Sequence, residues 1–380
     1  MEHSVADLQR ALAAALDTLA RTGGDWRAIE APGLRGVDLS TAPLVLIGAG
    51  SVIAQPFVAH ALAHLNVAGV VDNARAGTVQ HGHTILDDAG LRALMARRPD
   101  LVGVMCCCAD RAVEHFSALW APGGRPLLSL FQAMRHAGLE TPDAFSDPAG
   151  IAALLDRRDV WEGYADEESR RTYLSLLLHR LTWDRAWIEP RRLPYKAMYF
   201  FTDALDVGTD ETLVDGGAFD GDTVVYFHER TAGRYRAVHA FEVDPANVDA
   251  LRRRTADIPR VTVHPLGLWD GDATLRLSAG GAASSVGDGS GVEVPVRALD
   301  GLDLGPVSLI KLDIEGAEIP ALRGAADTIR RHKPKLSLAV YHKPDDLAAV
   351  QDAISAIRPD YRFRLRHHSP IFHDTVLYAE

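Results

Sequence analysis

Two short apolar runs in this chain stop at glycine-rich turns, and the pattern around them allows few folds. Leu44-Val45-Leu46-Ile47 runs directly into Gly48-Ala49-Gly50-Ser51, and Thr212-Leu213-Val214-Asp215 runs into Gly216-Gly217-Ala218-Phe219-Asp220-Gly221-Asp222-Thr223. A continuous apolar run of this length reads as a strand buried on both faces, and glycine lets the chain turn sharply into a following helix. Further strand-like runs follow at 68–71 and 101–105 after the first turn, and at 237–242, 261–263, 309–313, 336–341, 362–365 and 376–378 after the second. Helical spacing fits 52–65, 247–254 and 347–357 between them. Strands alternating with helices imply an α/β fold with parallel sheets, here occurring twice.

At 380 residues the chain has room for two domains. The expected division is 1–147, comprising an amphipathic helix over 1–22 and a small α/β domain; 148–205, a helical bridge; and 206–380, a larger doubly wound domain. Hydrophobic residues at 47% supply a core, so disorder is excluded. Forty basic against 51 acidic residues leave a net charge of -11, which does not suit a nucleic-acid partner. No apolar run approaches a membrane span, and Met1-Glu2-His3-Ser4 lacks the positive charge of a secretory signal, so a cytoplasmic location is expected. The three cysteines, Cys106-Cys107-Cys108, are consecutive, which excludes a spaced disulfide or zinc framework and suits a buried strand end. No metal site is expected.

In open α/β sheets ligands bind beyond the carboxyl ends of the strands. In the larger domain those ends are polar. The turn from Asp215 presents backbone N–H groups at a helix start, but Asp220 and Asp222 would repel a pyrophosphate. A ligand with a cationic centre and one carboxylate suits this acidic loop better, and S-adenosylmethionine has both. Glu242 closes the next strand, where a carboxylate can accept from two ribose hydroxyls. Asp313 and His342 close two further strands, and the fold would set them near a reactive centre.

Val214-Asp215-Gly216-Gly217-Ala218-Phe219-Asp220-Gly221-Asp222-Thr223, Ala240-Phe241-Glu242-Val243-Asp244-Pro245, Ile310-Lys311-Leu312-Asp313-Ile314-Glu315-Gly316-Ala317-Glu318 and Thr375-Val376-Leu377-Tyr378-Ala379 together resemble the FkbM family of S-adenosylmethionine-dependent methyltransferases. The resemblance covers about residues 205–380. It implies a class I methyltransferase fold, with a mostly parallel seven-stranded sheet and an antiparallel last strand, and O-methylation of a sugar, glycan or related polar metabolite. It also implies a donor site in which Asp215, Gly216, Gly217, Gly221 and Thr223 form the loop, Glu242 holds the ribose, and the segment containing Trp269 and Asp270 flanks the adenine. Asp166-Glu167-Glu168-Ser169-Arg170 resembles the segment ahead of the domain in that family.

Methyl transfer of this kind is an in-line displacement, in which positioning contributes most and a base assists. His342, with a reference pKa near 6.5, is expected as the base with Asp313 orienting the acceptor; the reverse assignment stays open, and His264 and His368 are lesser candidates. The glycine- and serine-rich stretch 279–291 reads either as a plain connection or as a lid.

In the smaller domain Gly48-Ala49-Gly50 begins a dinucleotide fingerprint that lacks its third glycine, Ile53 standing there. With Asp72 it resembles the Rossmann-like domain of some sugar-modifying proteins. Three readings stand for it: a site for a nucleotide or nucleotide-linked sugar formed by Gly48, Gly50 and Asp72, a scaffold that makes a homo-oligomer, and an NAD-dependent oxidoreductase. For the whole chain the alternative to an enzyme is a non-catalytic protein that binds the donor or a partner.

Overall fold

The computed structural model describes residues 3–30, 34–200, 203–277 and 292–380. The stretch 279–291, expected as a connection or a lid, lies outside them. The chain divides into two compact units. The first comprises Met1–Leu155, Leu174–Arg192 and Ser369–Phe372; the second comprises Asp156–Tyr173, Leu193–His368 and His373–Glu380.

In the first unit a helix, Val5–Arg21, is started by a reciprocal cap between Ser4 and Asp7 and buries Leu8, Leu12 and Leu19. The sheet contains β1 (Leu44–Ile47), β2 (Val67–Val71), β3 (Val79–Gln80), β4 (His83–Leu86), β5 (Val102–Met105) and β6 (Leu127–Ser129). Their order is β3-β4-β2-β1-β5-β6, and all pairs are parallel except β3 with β4. The chain leaves β1 toward β2 on one side and later returns to β5 on the other, so the switch point lies beyond β1. All four residues of β1 are fully buried, which is why they are continuously apolar.

The second unit holds β7 (Thr212–Gly216), β8 (Ala237–Phe241), β9 (Val261–His264), β10 (Gly267–Leu268), β11 (Ala273–Leu277), β12 (Val292–Arg297), β13 (Leu309–Leu312), β14 (Lys335–Ala339), β15 (Phe363–His367) and β16 (Thr375–Ala379). Seven form one sheet in the order β15-β16-β14-β13-β7-β8-β9, in which only β16 runs antiparallel to its neighbours. This is the expected mostly parallel sheet with one reversed strand. β10, β12 and β11 make a separate three-stranded sheet.

The stretch 148–205 contains the helices Pro148–Asp156, Arg158–Trp161 and Glu167–Thr182, and it is divided between the two units. Its parts are claimed by two cores. Trp183 is fully buried in the first unit, 5.0 Å from the Phe131 ring centroid. In the second unit Ser169 Oγ accepts from Leu365 N at 2.9 Å, and the buried Arg366 guanidinium donates to Asp166 at 2.9 Å. No helix among the described residues is long and apolar enough to cross a membrane.

One position in the first sheet tests its packing. A Cβ at Gly103 would stand 2.7 Å from Leu127 Cδ1 and 2.8 Å from the Trp120 ring. Gly103→Ala is therefore expected to cost about 1–3 kcal/mol by overpacking, lowering the calorimetric melting temperature of this unit by roughly 2–4 °C per kcal/mol. An unchanged melting profile would mean that Trp120 yields freely.

Candidate active site

The floor of the site is a buried ion pair. Lys311 and Asp215 are register partners on the adjacent parallel strands β13 and β7. Lys311 Nζ lies 3.0 Å from Asp215 Oδ1, with both side chains almost wholly buried. The ammonium also donates to the carbonyls of Gly216 at 3.2 Å and Gly217 at 2.7 Å, and sits 4.9 Å from the Tyr199 ring centroid. Burial pulls the Lys311 pKa down, but Asp215 and then Asp313 outweigh it and leave it raised. Burial raises the Asp215 carboxyl despite Lys311. Directly above, Gly217 has φ +73, and a Cβ there would fall on the Asp313 carbonyl oxygen, so no other residue fits.

A cavity of about 600 Å³ opens over this floor, beyond the carboxyl ends of β7, β8 and β13. Of the residues expected in the donor site, Gly217, Thr223, Glu242 and Trp269 line it. Asp215, Gly216, Gly221 and Asp270 do not. Asp215 is turned down onto Lys311, and Gly216 is the last residue of β7. Gly221 caps the helix Asp222–Arg230 at φ +90 against Leu251, and Asp270 is exposed to solvent. Asp220 is ion-paired with Arg254, which removes one of the loop's two acids from the cavity.

Glu242 is 8% exposed and holds the turn shut. Its Oε2 accepts from Phe219 N at 2.9 Å, and its Oε1 accepts from Val243 N at 2.9 Å and Asp244 N at 2.8 Å. Burial raises its pKa against these three bonds. Oε2 retains an acceptor position. On the opposite wall Trp269 donates from its backbone N to the Arg297 carbonyl at 2.9 Å, and a Cβ on Gly324 would collide with the Trp269 carbonyl.

Asp313 lines the cavity and is anchored by two phenols: Tyr199 OH donates to Oδ2 at 2.6 Å and Tyr341 OH to Oδ1 at 3.0 Å. Burial alone would raise its pKa, but His342 and Lys311 outweigh burial and hold it well below the usual carboxylate range. His342 lies behind Asp313 and does not line the cavity. Its Nδ1 is 3.0 Å from Glu318 Oε1; its Nε2 is 3.3 Å from Asp313 Oδ1 and 3.5 Å from Glu315 Oε2. Burial lowers its pKa, yet Asp313 and Glu318 overcome burial and push it up to about 11. His342, expected as the general base, is thus set back from the cavity, and the two carboxylates favour its protonated form. The reverse assignment fares no better, since a carboxylate stabilised as strongly as Asp313 is a weak base. Of the lesser candidates, His264 packs on the Phe241 ring and does not line the cavity, and His368 is fully buried.

Asp313, Glu318 and His342 bring ligand atoms within 4.8 Å of one another, close enough to raise the question of a metal. The imidazole stands between the two carboxylates, with Nδ1 toward Glu318 and Nε2 toward Asp313.

In the first unit Gly48, Gly50 and Asp72 do come together beyond β1 and β2. Gly48 N donates to the Val71 carbonyl at 2.8 Å, and a Cβ on Gly50 would strike the Asp72 carboxylate. Yet Asp72 Oδ1 is bonded to Ala74 N at 3.0 Å, and Cys107 lies on Gly48, where a Cβ would meet its Sγ at 2.6 Å. The cavity beside Cys107, between Ser129 and Arg185, measures about 10 Å³. That is room for one water at most, and Gly48, Gly50 and Asp72 do not line it. Cys106 is buried as expected, and burial pushes the Cys107 thiol up to about 11.

Several site residues escape a reading of strand ends. Lys311 stands inside the run Leu309–Leu312, and a lone charge in an otherwise buried strand is the signal that could have found it. Tyr199 comes from the stretch read as a bridge and has no motif. Glu315 and Lys343 also line the cavity.

Residues 215–365 match the family model described as the methyltransferase FkbM domain. The crystal structure of methyltransferase FkbM from Methylobacillus flagellatus KT is 28% identical, with 99% of this chain and 100% of that chain covered at a TM-score of 0.74. Precorrin-6y C5,15-methyltransferase from Geobacter metallireducens GS-15 aligns at 13% identity over 47% of this chain and 82% of that chain, with a TM-score of 0.30. Aeropyrum pernix fibrillarin in complex with S-adenosyl-L-methionine aligns at 14% identity over 46% of this chain and 67% of that chain, with a TM-score of 0.31. Neither of these two bears on function here. No curated protein matches the chain. Residues 215–365 thus resemble the FkbM methyltransferase domain, and the chain as a whole is similar to a methyltransferase FkbM of the same length.

Proposed function

We propose that the protein is an S-adenosylmethionine-dependent O-methyltransferase that modifies a hydroxyl of a sugar, glycan or related polar metabolite. The observation that carries this reading is the Glu242 carboxylate, buried at the end of β8 with an acceptor position left on the cavity side of the Gly217 turn. There it suits a ribose hydroxyl, while Trp269 flanks a flat base. The wall carries Asp222, Glu242, Asp244, Asp313, Glu315 and Asp374 against Lys311 and Lys343, an excess of negative charge that favours a cationic ligand. The donor supplies a methyl group on a sulfonium centre. Asp313, fixed by Tyr199 and Tyr341, accepts from a hydroxyl on the acceptor and orients it, so the chain's main contribution is positioning.

Calorimetric titration with S-adenosylmethionine and its demethylated product tests the donor side. Both are expected to bind the native chain, and Glu242→Ala to weaken them roughly 10- to 100-fold, as loss of hydrogen bonds to a charged group would. Binding of neither would remove this reading. With methyl-labelled donor and a panel of monosaccharides, nucleotide-linked sugars and polyols, label is expected in an alkali-stable ether; label in an amine or thiol would instead redirect the acceptor class.

A further inference from the structure

The reading above leaves the acceptor's proton without a destination, because His342 lies behind the cavity wall between two carboxylates that favour its protonated form, and Asp313 is strongly stabilised as a carboxylate. Glu318 is no better placed: it is 1% exposed and its Oε1 accepts from Ile314 N at 3.0 Å and Gly316 N at 3.4 Å besides facing His342. Glu315 differs from all three. Its side chain is 35% exposed and lines the cavity, and its one polar contact among the described residues is His342 Nε2 at 3.5 Å. Its backbone is left-handed at φ +56, followed by Gly316 at φ +92. Such a conformation in a residue with a Cβ persists only where surrounding structure enforces it. Here Glu318 grips the turn from inside, and Lys343 Nζ donates to the Gly316 carbonyl.

We infer that Glu315 is the general base that takes the proton from the acceptor hydroxyl, an inference that rests on the methyl-transfer reading. As the acceptor O–H bond breaks, its proton passes to the Glu315 carboxylate. The oxygen electron pair forms the new C–O bond to the methyl carbon, and the C–S bond electrons return to sulfur, leaving a neutral thioether. The proton then leaves Glu315 for solvent. Burial raises the Glu315 pKa; His342 opposes this, Asp313, Glu318 and Glu242 add to it, and the group lies at about 7. Lys343 on the Gly316 carbonyl and Asp346, which accepts from Lys343 N and bears on His342, complete the charges around the turn. Because the pKa is raised, the carboxylate form is present above about pH 7 and lost below it.

The test combines two readouts on the full chain. In protein labelled with ¹³C at the glutamate carboxyl, the resonance that disappears in Glu315→Gln should titrate near pH 7. Methyl transfer from labelled donor to the sugar and polyol panel should rise through the same pH range. Glu315→Gln should lose about 10²- to 10⁴-fold in turnover together with that pH limb, keep its affinity for the demethylated donor product, and be partly rescued in Glu315→Asp. A Glu315 resonance titrating near 4, or a Glu315→Gln variant that keeps its turnover or pH limb, overturns the assignment while methyl transfer stands. No transfer by the native chain to any member of the panel overturns the O-methyltransferase reading and this inference with it.

Discussion

Lys311 is the residue on which the active site rests. Its ammonium is held at the end of β13 by the carboxylate of Asp215 and by the carbonyls of Gly216 and Gly217, so it ties two adjacent strands at the point where both turn into loops. Loss of one partner from a buried pair leaves a charge without compensation, at about 3–5 kcal/mol. The same contacts set the Gly217 turn against the Asp313 carbonyl, with no space for a side chain between them. The cavity floor is consequently a rigid junction of two backbones, and the residues above it inherit that precision.

At and above this junction, acidic groups of one chemical type are given different properties by their neighbours. Asp215 faces one buried cation, Glu242 takes three backbone N–H groups, Asp313 takes two phenols and stands against an imidazolium, and Glu315 keeps only a distant contact with that ring. Environment therefore gives carboxylates in and under one cavity separate properties. The imidazolium of His342 is central to the separation, since it lowers Asp313 and restrains Glu315 at once.

How much of this was legible depended on whether a residue's role followed from its place along one strand. The buried strands were readable from runs such as Leu44–Ile47 because a parallel strand covered on both faces has no polar side. Glu242 and Asp313 were readable as strand ends, which the fold directs toward a ligand. His342 was readable as a site neighbour but its charge was not, because that depends on Glu318 and Asp313 from another segment. Glu315 was one acid among three in the stretch 313–318, and its exposure, its place on the cavity wall and its left-handed backbone are features that no composition reveals. The boundary near 148–205 was obscured for a similar reason: helical spacing shows that Glu167–Thr182 forms, but not that Ser169 bonds to Leu365 while Trp183 enters a different core.

The short helix Glu318–Gly324 meets residues of the cavity wall at both of its ends. Its first residue holds the Ile314–Gly316 turn through Glu318 Oε1, and its last, Gly324, presses its bare backbone onto the carbonyl of Trp269. Seven residues at roughly 1.5 Å each make a strut of about 10 Å. That strut gauges the span between the wall that would receive the acceptor's proton and the wall that would face the donor's flat base. A change in its length would displace both walls together, although the helix contributes few of the groups that line the cavity.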